Sequence, residues 1–215
     1  MTPINDPPFV CECCGTCCRN GPPGLHDTDA PRVMERVIEP EALFTIRAGE
    51  LVRDNVKGGL VYIDTEIIKI RTAPGSAACR FFREGDNACG IYENRPAQCR
   101  AMKCRDTAAI VDMHAKNRLN RGNLFGSVDW LWDIIETHES RCGFGEIRSR
   151  VEQRRAGRHE ASRQLEEMVS YDRALRDVVV EKGILKEGML PLVFGLPVDV
   201  VLERRFGIRT KNSHQ

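Results

Sequence analysis

The stretch that decides the fold of this chain is Cys11-Glu12-Cys13-Cys14-Gly15-Thr16-Cys17-Cys18, in which five of eight residues are cysteine. It contains two overlapping Cys-x-x-Cys units, and a two-residue spacer lets the backbone turn so that both sulfurs reach one metal centre. Gly15 suits such a turn because glycine tolerates a positive φ. Cys17 and Cys18 are adjacent, so their side chains start in different directions and need not bind the same centre. Cys13 breaks the two-residue rhythm and is not predicted to be a ligand.

A second group of cysteines follows about sixty residues later. Nine residues separate Cys79 from Cys89, nine separate Cys89 from Cys99, and four separate Cys99 from Cys104. These spacings are too wide for one zinc knuckle and favour a site assembled from loops and a short helix. Arginine directly follows four of the cysteines, and its guanidinium group can offset thiolate charge and donate hydrogen bonds to sulfur. These arginines are Arg19, Arg80, Arg100 and Arg105.

The composition is that of an ordinary globular protein, with 215 residues, 41% hydrophobic and 29% charged. The net charge of +1 predicts no strong attraction to nucleic acid or to an anionic membrane. We see neither a transmembrane pattern nor a signal peptide, so we expect a cytoplasmic protein. Thiols stay reduced in that compartment, and the ten cysteines are therefore predicted to bind metal or act in redox chemistry.

The predicted fold is mainly α with a small β-hairpin: an irregular, metal-stabilised cysteine-rich region followed by a helical C-terminal part. We expect short helices at about 28–38 and 41–48, and pairing of residues 60–64 with 66–71 as the hairpin. Further helices are predicted at about 96–103, 107–116, 128–142, 146–182 and 198–205. The predicted domains are 1–142, which binds metal, and 143–215, a helical extension packed on it.

Both cysteine motifs resemble those of the YkgJ-type cysteine cluster family, a family of zinc- or iron-chelating domains. The first motif is Phe9, Cys11, Cys14, Gly15, Cys17 and Cys18. The second is Cys79, Cys89, Ile91, Tyr92, Arg95, Pro96, Cys99, Arg100 and Cys104. The resemblance covers residues 9–104 and implies eight metal ligands. They are Cys11, Cys14, Cys17, Cys18, Cys79, Cys89, Cys99 and Cys104.

The resemblance leaves Cys13 and Cys142 without a role, and we expect Cys142 to be a small buried hydrophobic residue. A similar cluster is found in flagellin lysine methylases, which suggests an iron–sulfur centre. Nothing in this sequence justifies carrying over the methyltransferase activity. His138 lies four residues before Cys142, and we expect it to be a surface residue rather than a metal ligand.

All-cysteine ligation suits either zinc or an iron–sulfur cluster. Two closed zinc sites would use all eight thiolates, whereas one [4Fe–4S] cluster would use four. The wide, irregular spacing of the second group slightly favours [4Fe–4S] over zinc. The predicted function is therefore a metal-binding protein with an accessory, redox or maturation role, in which Arg95 and Arg100 contact the cofactor.

Two alternatives stay open. The first is an enzyme whose active site is the cluster region, with Tyr92, Glu93, Arg95 and Arg100 as its polar candidates. The second is an interaction module with two structural zinc sites. A protein partner would bind the helical C-terminal part, and no membrane contact is predicted. The arginines of residues 148–163 are expected to form a solvated helix face rather than a nucleic-acid site.

Overall fold

The computed structural model describes residues 11–104 and 106–210, and it is mostly helical, at 50% helix. This confirms the predicted fold class, including the small β component and the helical C-terminal part. The helices of the described residues are Thr16–Arg19 (α1), Ala30–Met34 (α2), Ala97–Ala101 (α3), Ala108–Met113 (α4), Arg121–Phe125 (α5), Asp129–Cys142 (α6), Phe144–Arg155 (α7), His159–Glu181 (α8), Leu190–Phe194 (α9) and Val198–Phe206 (α10).

The strands of the described ranges form three separate two-stranded antiparallel sheets, which pair β1 with β4, β2 with β3, and β5 with β6. Their bounds are Leu43–Ile46 (β1), Leu51–Arg53 (β2), Leu60–Tyr62 (β3), Ile67–Ile70 (β4), Phe82–Arg83 (β5) and Ala88–Cys89 (β6). The β2–β3 hairpin is therefore nested inside the β1–β4 pair. This nesting brings the segment before the second cysteine group beside a segment that comes after the first cysteine group.

The predicted pairing of residues 60–64 with 66–71 is wrong, because β3 pairs with β2 and β4 pairs with β1. Asp54 favours the pairing of β3 with β2: its carboxylate accepts hydrogen bonds from the backbone N–H groups of Val56 and Lys57 and closes the hairpin loop. The predicted helix at 41–48 is also wrong. Burial alternates along Leu43–Ile46, as in a strand with one face against the core.

The C-terminal helices follow the sequence pattern more closely. The helix predicted at 198–205 is confirmed by α10, and α6 ends at Cys142 as expected. The long helix predicted at 146–182 is two helices, because Gly157 adopts a φ of 82° between α7 and α8. None of the helices in the described ranges is long and apolar enough to span a membrane.

The cysteine-rich region has an apolar core of its own. Leu25, Leu43, Ile68 and Ile70 form its centre, and Cys79 and Phe82 belong to the same cluster. Leu192 of α9 completes this core from the C-terminal part.

Buried hydrogen bonds reinforce the contact between the two parts. The Thr45 hydroxyl donates to the Leu192 carbonyl at 2.6 Å, and Arg47 Nη1 donates to the Cys142 carbonyl at 2.8 Å. The division into domains 1–142 and 143–215 stays a prediction.

His138 is fully buried on α6, so the expectation of a surface residue was wrong. Its Nε2 lies 2.7 Å from Asp172 Oδ1 on α8, and Asp172 also accepts a hydrogen bond from Arg176 Nε at 2.9 Å. These polar groups are paired inside the helical core, which is how buried charged groups are normally accommodated. His138 is therefore part of the packing between α6 and α8.

Candidate metal centre

The first cysteine group is shaped by a left-handed glycine. Gly15 has a φ of 72° and is the residue before α1, so that Cys17 and Cys18 lie in the single turn of that helix. A Cβ atom at Gly15 would lie 2.7 Å from Phe82 Cζ. Arg19 spans the same turn: it donates to the Cys14 carbonyl at 3.0 Å, and its guanidinium carbon lies 4.8 Å from the centre of the Phe82 ring.

The two cysteine groups meet at Cys18 and Cys79. The backbone N–H of Cys79 donates to the Cys18 carbonyl at 2.8 Å, and the N–H of Phe82 donates to the Cys79 carbonyl at 2.9 Å. Phe82 is in turn the strand partner of Cys89. Backbone hydrogen bonds therefore bring three of the predicted ligands into one region, although they come from distant parts of the sequence.

Cys99 reaches the same region on the short helix α3. The neighbouring Gln98 side chain accepts a hydrogen bond from the Gly24 N–H at 2.6 Å, which holds this helix on the segment after the first cysteine group. Burial raises the pKa of the Cys99 thiol, and the charges of Cys79, Cys17, Cys89 and Cys18 raise it further, in that order. We call Cys18, Cys79, Cys89 and Cys99 the inner thiols. Cys79 is buried and the other three are half-buried.

Three of the inner thiols, Cys18, Cys79 and Cys99, bind protons more tightly than free cysteine. Burial, reinforced by Cys17, Cys89 and Cys79, raises the pKa of Cys18 to about 12. The pKa of Cys79 is also raised, chiefly by burial. Without a cation these thiols are protonated at neutral pH, and a bound metal would have to displace their protons.

The remaining predicted ligands form a more exposed set, the outer thiols Cys11, Cys14, Cys17 and Cys104. Partial desolvation raises the pKa of Cys104, followed by the negative charges of Cys14, Cys17 and Cys11. The pKa of Cys14 is lowered because its sulfur is hydrogen bonded to the Thr16 hydroxyl at 3.4 Å. Cys17 shares the single turn of α1 with the inner thiol Cys18, so the two sets are joined there.

The donor chemistry of the region is that of sulfur. Within the part of the chain that the structure describes, no three His, Cys, Asp or Glu side chains converge closely enough to hold a single ion. A tetrahedral zinc site with bonds of about 2.3 Å needs sulfurs about 3.8 Å apart. An iron–sulfur cluster takes thiolates on different iron atoms and accepts a wider spacing. The residues present therefore fit a thiolate-bound metal group.

Arg95 and Arg100 hold the segment between Cys89 and Cys99 in place. The Arg95 guanidinium carbon lies 3.6 Å from the centre of the Tyr92 ring, and its Nε donates to the Tyr92 carbonyl at 2.8 Å. Arg100 donates to the Arg95 carbonyl. The predicted contact of both arginines with a cofactor stays a prediction. Arg105 lies outside the described residues.

The two cysteines that the motifs leave out differ in their surroundings. Cys142 is fully buried, and burial raises its thiol pKa to about 12, as expected for a core residue. Its sulfur contacts the Met168 carbonyl at 3.7 Å. Cys13 is exposed and has a φ of 52°, and its sulfur contacts the Cys11 carbonyl at 3.7 Å.

Sequence reasoning missed Asp29, which is fully buried beside the N-terminus of helix α3. Its carboxylate accepts a hydrogen bond from the N–H of Ala97, two residues before Cys99. The one local sequence signal for Asp29 is its position just before the short Pro31-containing helix. That position equally indicates an ordinary helix cap.

Comparison with known proteins agrees with this arrangement. No curated protein and no solved structure matches the chain. The family model CxxCxxCC, "Putative zinc- or iron-chelating domain", matches residues 10–119, which is just over half of the 215 residues. The matched range contains all the inner and outer thiols together with α1–α4. This chain therefore belongs to the CxxCxxCC family of zinc- or iron-chelating domains.

Proposed function

We propose that the eight thiols Cys11, Cys14, Cys17, Cys18, Cys79, Cys89, Cys99 and Cys104 are the metal ligands of this chain. The inner thiols hold an iron–sulfur cluster, and the protein has an accessory role in electron or iron handling. The observation that carries this proposal is the backbone hydrogen bond between Cys18 and Cys79, which joins the two cysteine groups beside Cys89, the strand partner of Phe82.

Iron–sulfur is favoured over zinc by the shape of the site. The inner thiols come from a helical turn, a loop, a strand and a second helix, and they do not close around one ion position. Ligands carried by four separate elements suit a multi-atom cluster, in which each thiolate binds a different iron atom. A structural zinc site is more often closed by paired short knuckles. When bound, such a cluster supplies one-electron chemistry or a source of iron.

The accessory role is supported by the position of the cavities. Two shallow cavities in the described residues have volumes of about 160 and 340 Å³, and both lie among α6, α7 and α8. Neither is lined by a thiol of the inner or outer set. A substrate pocket beside the cysteines would instead favour the enzyme alternative.

The first experiment is metal analysis of the full chain purified without oxygen. Iron, acid-labile sulfide and zinc are measured together with the visible spectrum. We expect iron and sulfide in equal amounts, and a brown protein that is bleached by dithionite. A colourless protein with stoichiometric zinc and no iron would overturn the iron–sulfur proposal and favour the two zinc sites.

Cysteine variants then assign the ligands. Cys89→Ser removes an inner thiol and Cys14→Ser an outer one, while Cys142→Ser is the matched control in the helical core. We expect Cys89→Ser to lose the cluster and Cys142→Ser to keep it. If Cys14→Ser loses the same metal as Cys89→Ser, the two sets form one centre. If each variant loses only a fraction, there are two centres.

A further inference from the structure

One buried carboxylate joins the segment after the first cysteine group to the helix that carries Cys99. Asp29 has no exposed surface. Its Oδ2 accepts from the N–H of His26 at 3.1 Å, and its Oδ1 accepts from the N–H of Ala97 at 2.9 Å. The second bond spans 68 residues of sequence.

Helix α3 depends on this outside acceptor. The first N–H groups of a helix have no partner within it, and a capping side chain usually supplies one. The residue before α3 is Pro96, which offers no side-chain acceptor, and no side-chain cap is formed within the helix. Asp29 takes that place for Ala97, and Cys99 lies in the same turn of α3.

Further contacts tie the same two segments together. The N–H of Gly24 donates to Gln98 Oε1 at 2.6 Å, directly beside Cys99. Arg100 Nη2 lies 3.9 Å from Asp29 Oδ1 on the other side of Cys99. Cys99 is thus flanked by two residues that hold α3 on the segment after the first cysteine group.

That segment is itself fixed to the core beside Cys79. The N–H of Leu25 donates to the Ile68 carbonyl at 2.8 Å, and Ile70 donates to the Pro23 carbonyl at 3.2 Å. Leu25 and Cys79 belong to the same buried apolar cluster, against which Cys18 packs. A displacement of α3 from Asp29 would therefore move Cys99 relative to Cys18 and Cys79.

We propose that Asp29 is the positioning residue for Cys99, which it holds at the distance from Cys18 and Cys79 that retains the bound metal. This inference rests on the proposed thiolate ligation. Removing one residue that orients a metal ligand typically lowers the metal affinity about 10–100-fold. We expect an effect of about that size on metal release.

The test compares Asp29→Asn and Asp29→Ala with the control Asp172→Asn in the full, metal-loaded chain. Asp172 is a matched control because it is also buried and accepts from a helix N-terminus, the N–H of Val198 at 3.0 Å, in the C-terminal core. The rate of metal release to excess EDTA, the thiolate-to-metal absorption and circular dichroism, and the melting temperature are measured for each variant.

We expect all three variants to melt at lower temperature, but only the Asp29 variants to release metal about 10–100-fold faster and to alter the thiolate-to-metal spectrum. Asp29→Asn should be the milder of the two, because its amide oxygen still accepts from Ala97. Release at the rate of Asp172→Asn, with an unchanged spectrum, would overturn the inference. If the Asp29 variants do not fold, Gln98→Ala replaces them with the same expectation and the same overturning result.

The variant Cys99→Ser distinguishes an error in the proposed metal ligation from an error in the proposed role of Asp29. If Cys99→Ser retains the metal in full, the proposed ligation by Cys99 is wrong and the role of Asp29 falls with it. If Cys99→Ser loses the metal while the Asp29 and Gln98 variants release it at the control rate, only the positioning role is wrong.

Discussion

Replacing Gly15 by alanine tests the contact between the first cysteine group and Phe82. The left-handed backbone at Gly15, with a φ of 72°, costs a residue with a Cβ about 1–2 kcal/mol. The new Cβ would also lie 2.7 Å from Phe82 Cζ and 2.8 Å from Arg19 Nη1. The end of the Arg19 side chain can move aside. The Phe82 ring is held in place, because it is buried and residue Phe82 is the strand partner of Cys89.

Overpacking of this kind typically costs about 1–3 kcal/mol. Together with the backbone strain, we expect Gly15→Ala to lower the free energy of unfolding by roughly 2–5 kcal/mol. Metal content should fall as well, because a displaced Phe82 moves Cys89. Denaturant unfolding gives the first quantity, and metal analysis of the purified variant gives the second.

Gly75→Ala is the matched control. Gly75 has a φ of 68°, and nothing lies within 4 Å of a Cβ built there, so this variant carries the backbone strain without the contact. The effect of alanine on the unfolded chain is the same at both positions and cancels in the comparison. Equal losses of stability in the two variants, with equal metal content, would refute the Phe82 contact as a determinant of the site.

Other groups give independent predictions. Arg121→Met should lower the free energy of unfolding by about 3 kcal/mol in a denaturant titration, because it leaves Glu66 and the Val193 carbonyl without their buried partner. Burial lowers the pKa of His138, so unfolding takes up a proton at pH values between that lowered pKa and the unfolded pKa of about 6.5. Stability should therefore fall with pH below that value, by at most about 1.4 kcal/mol per pH unit, and His138→Gln should flatten that slope. Cys142→Ala should lose about 1–2 kcal/mol in thermal unfolding while its metal content, measured in parallel, stays at the wild-type level.

Local patterns predicted the parts of this fold that depend on neighbours in sequence. The spacing around Gly15 predicted a turn with a positive φ, and the structure has one there. The apolar spacing of α6 predicted its extent. The same spacing also indicates that His138 is buried, because His138 shares a helix face with Leu131, Ile135 and Cys142. Only the polarity of histidine argued for the surface, and Asp172, 34 residues later, overrides it.

Long-range pairing set the limit of the sequence prediction. Leu43–Ile46 becomes a strand because Ile67–Ile70 is available beside it, whereas Glu41 and Ala42 by themselves favour a helix. The role of Asp29 was equally hidden, since its partner Ala97 lies 68 residues away. Residue type and spacing identified the thiols, but the contacts that place them come from side chains without any motif.

The core of the cysteine-rich region bears on how metal and fold depend on each other. A small zinc knuckle has almost no apolar core, so the metal supplies its folding free energy. Here Leu25, Ile68 and Ile70 form a buried apolar core to which Cys79 adds only a part, and Leu192 completes it from the C-terminal part. The backbone bond between Cys18 and Cys79 forms on top of that core. The fold can therefore prepare the inner thiols before metal arrives, and the helical C-terminal part contributes to the site by supporting the core beneath it.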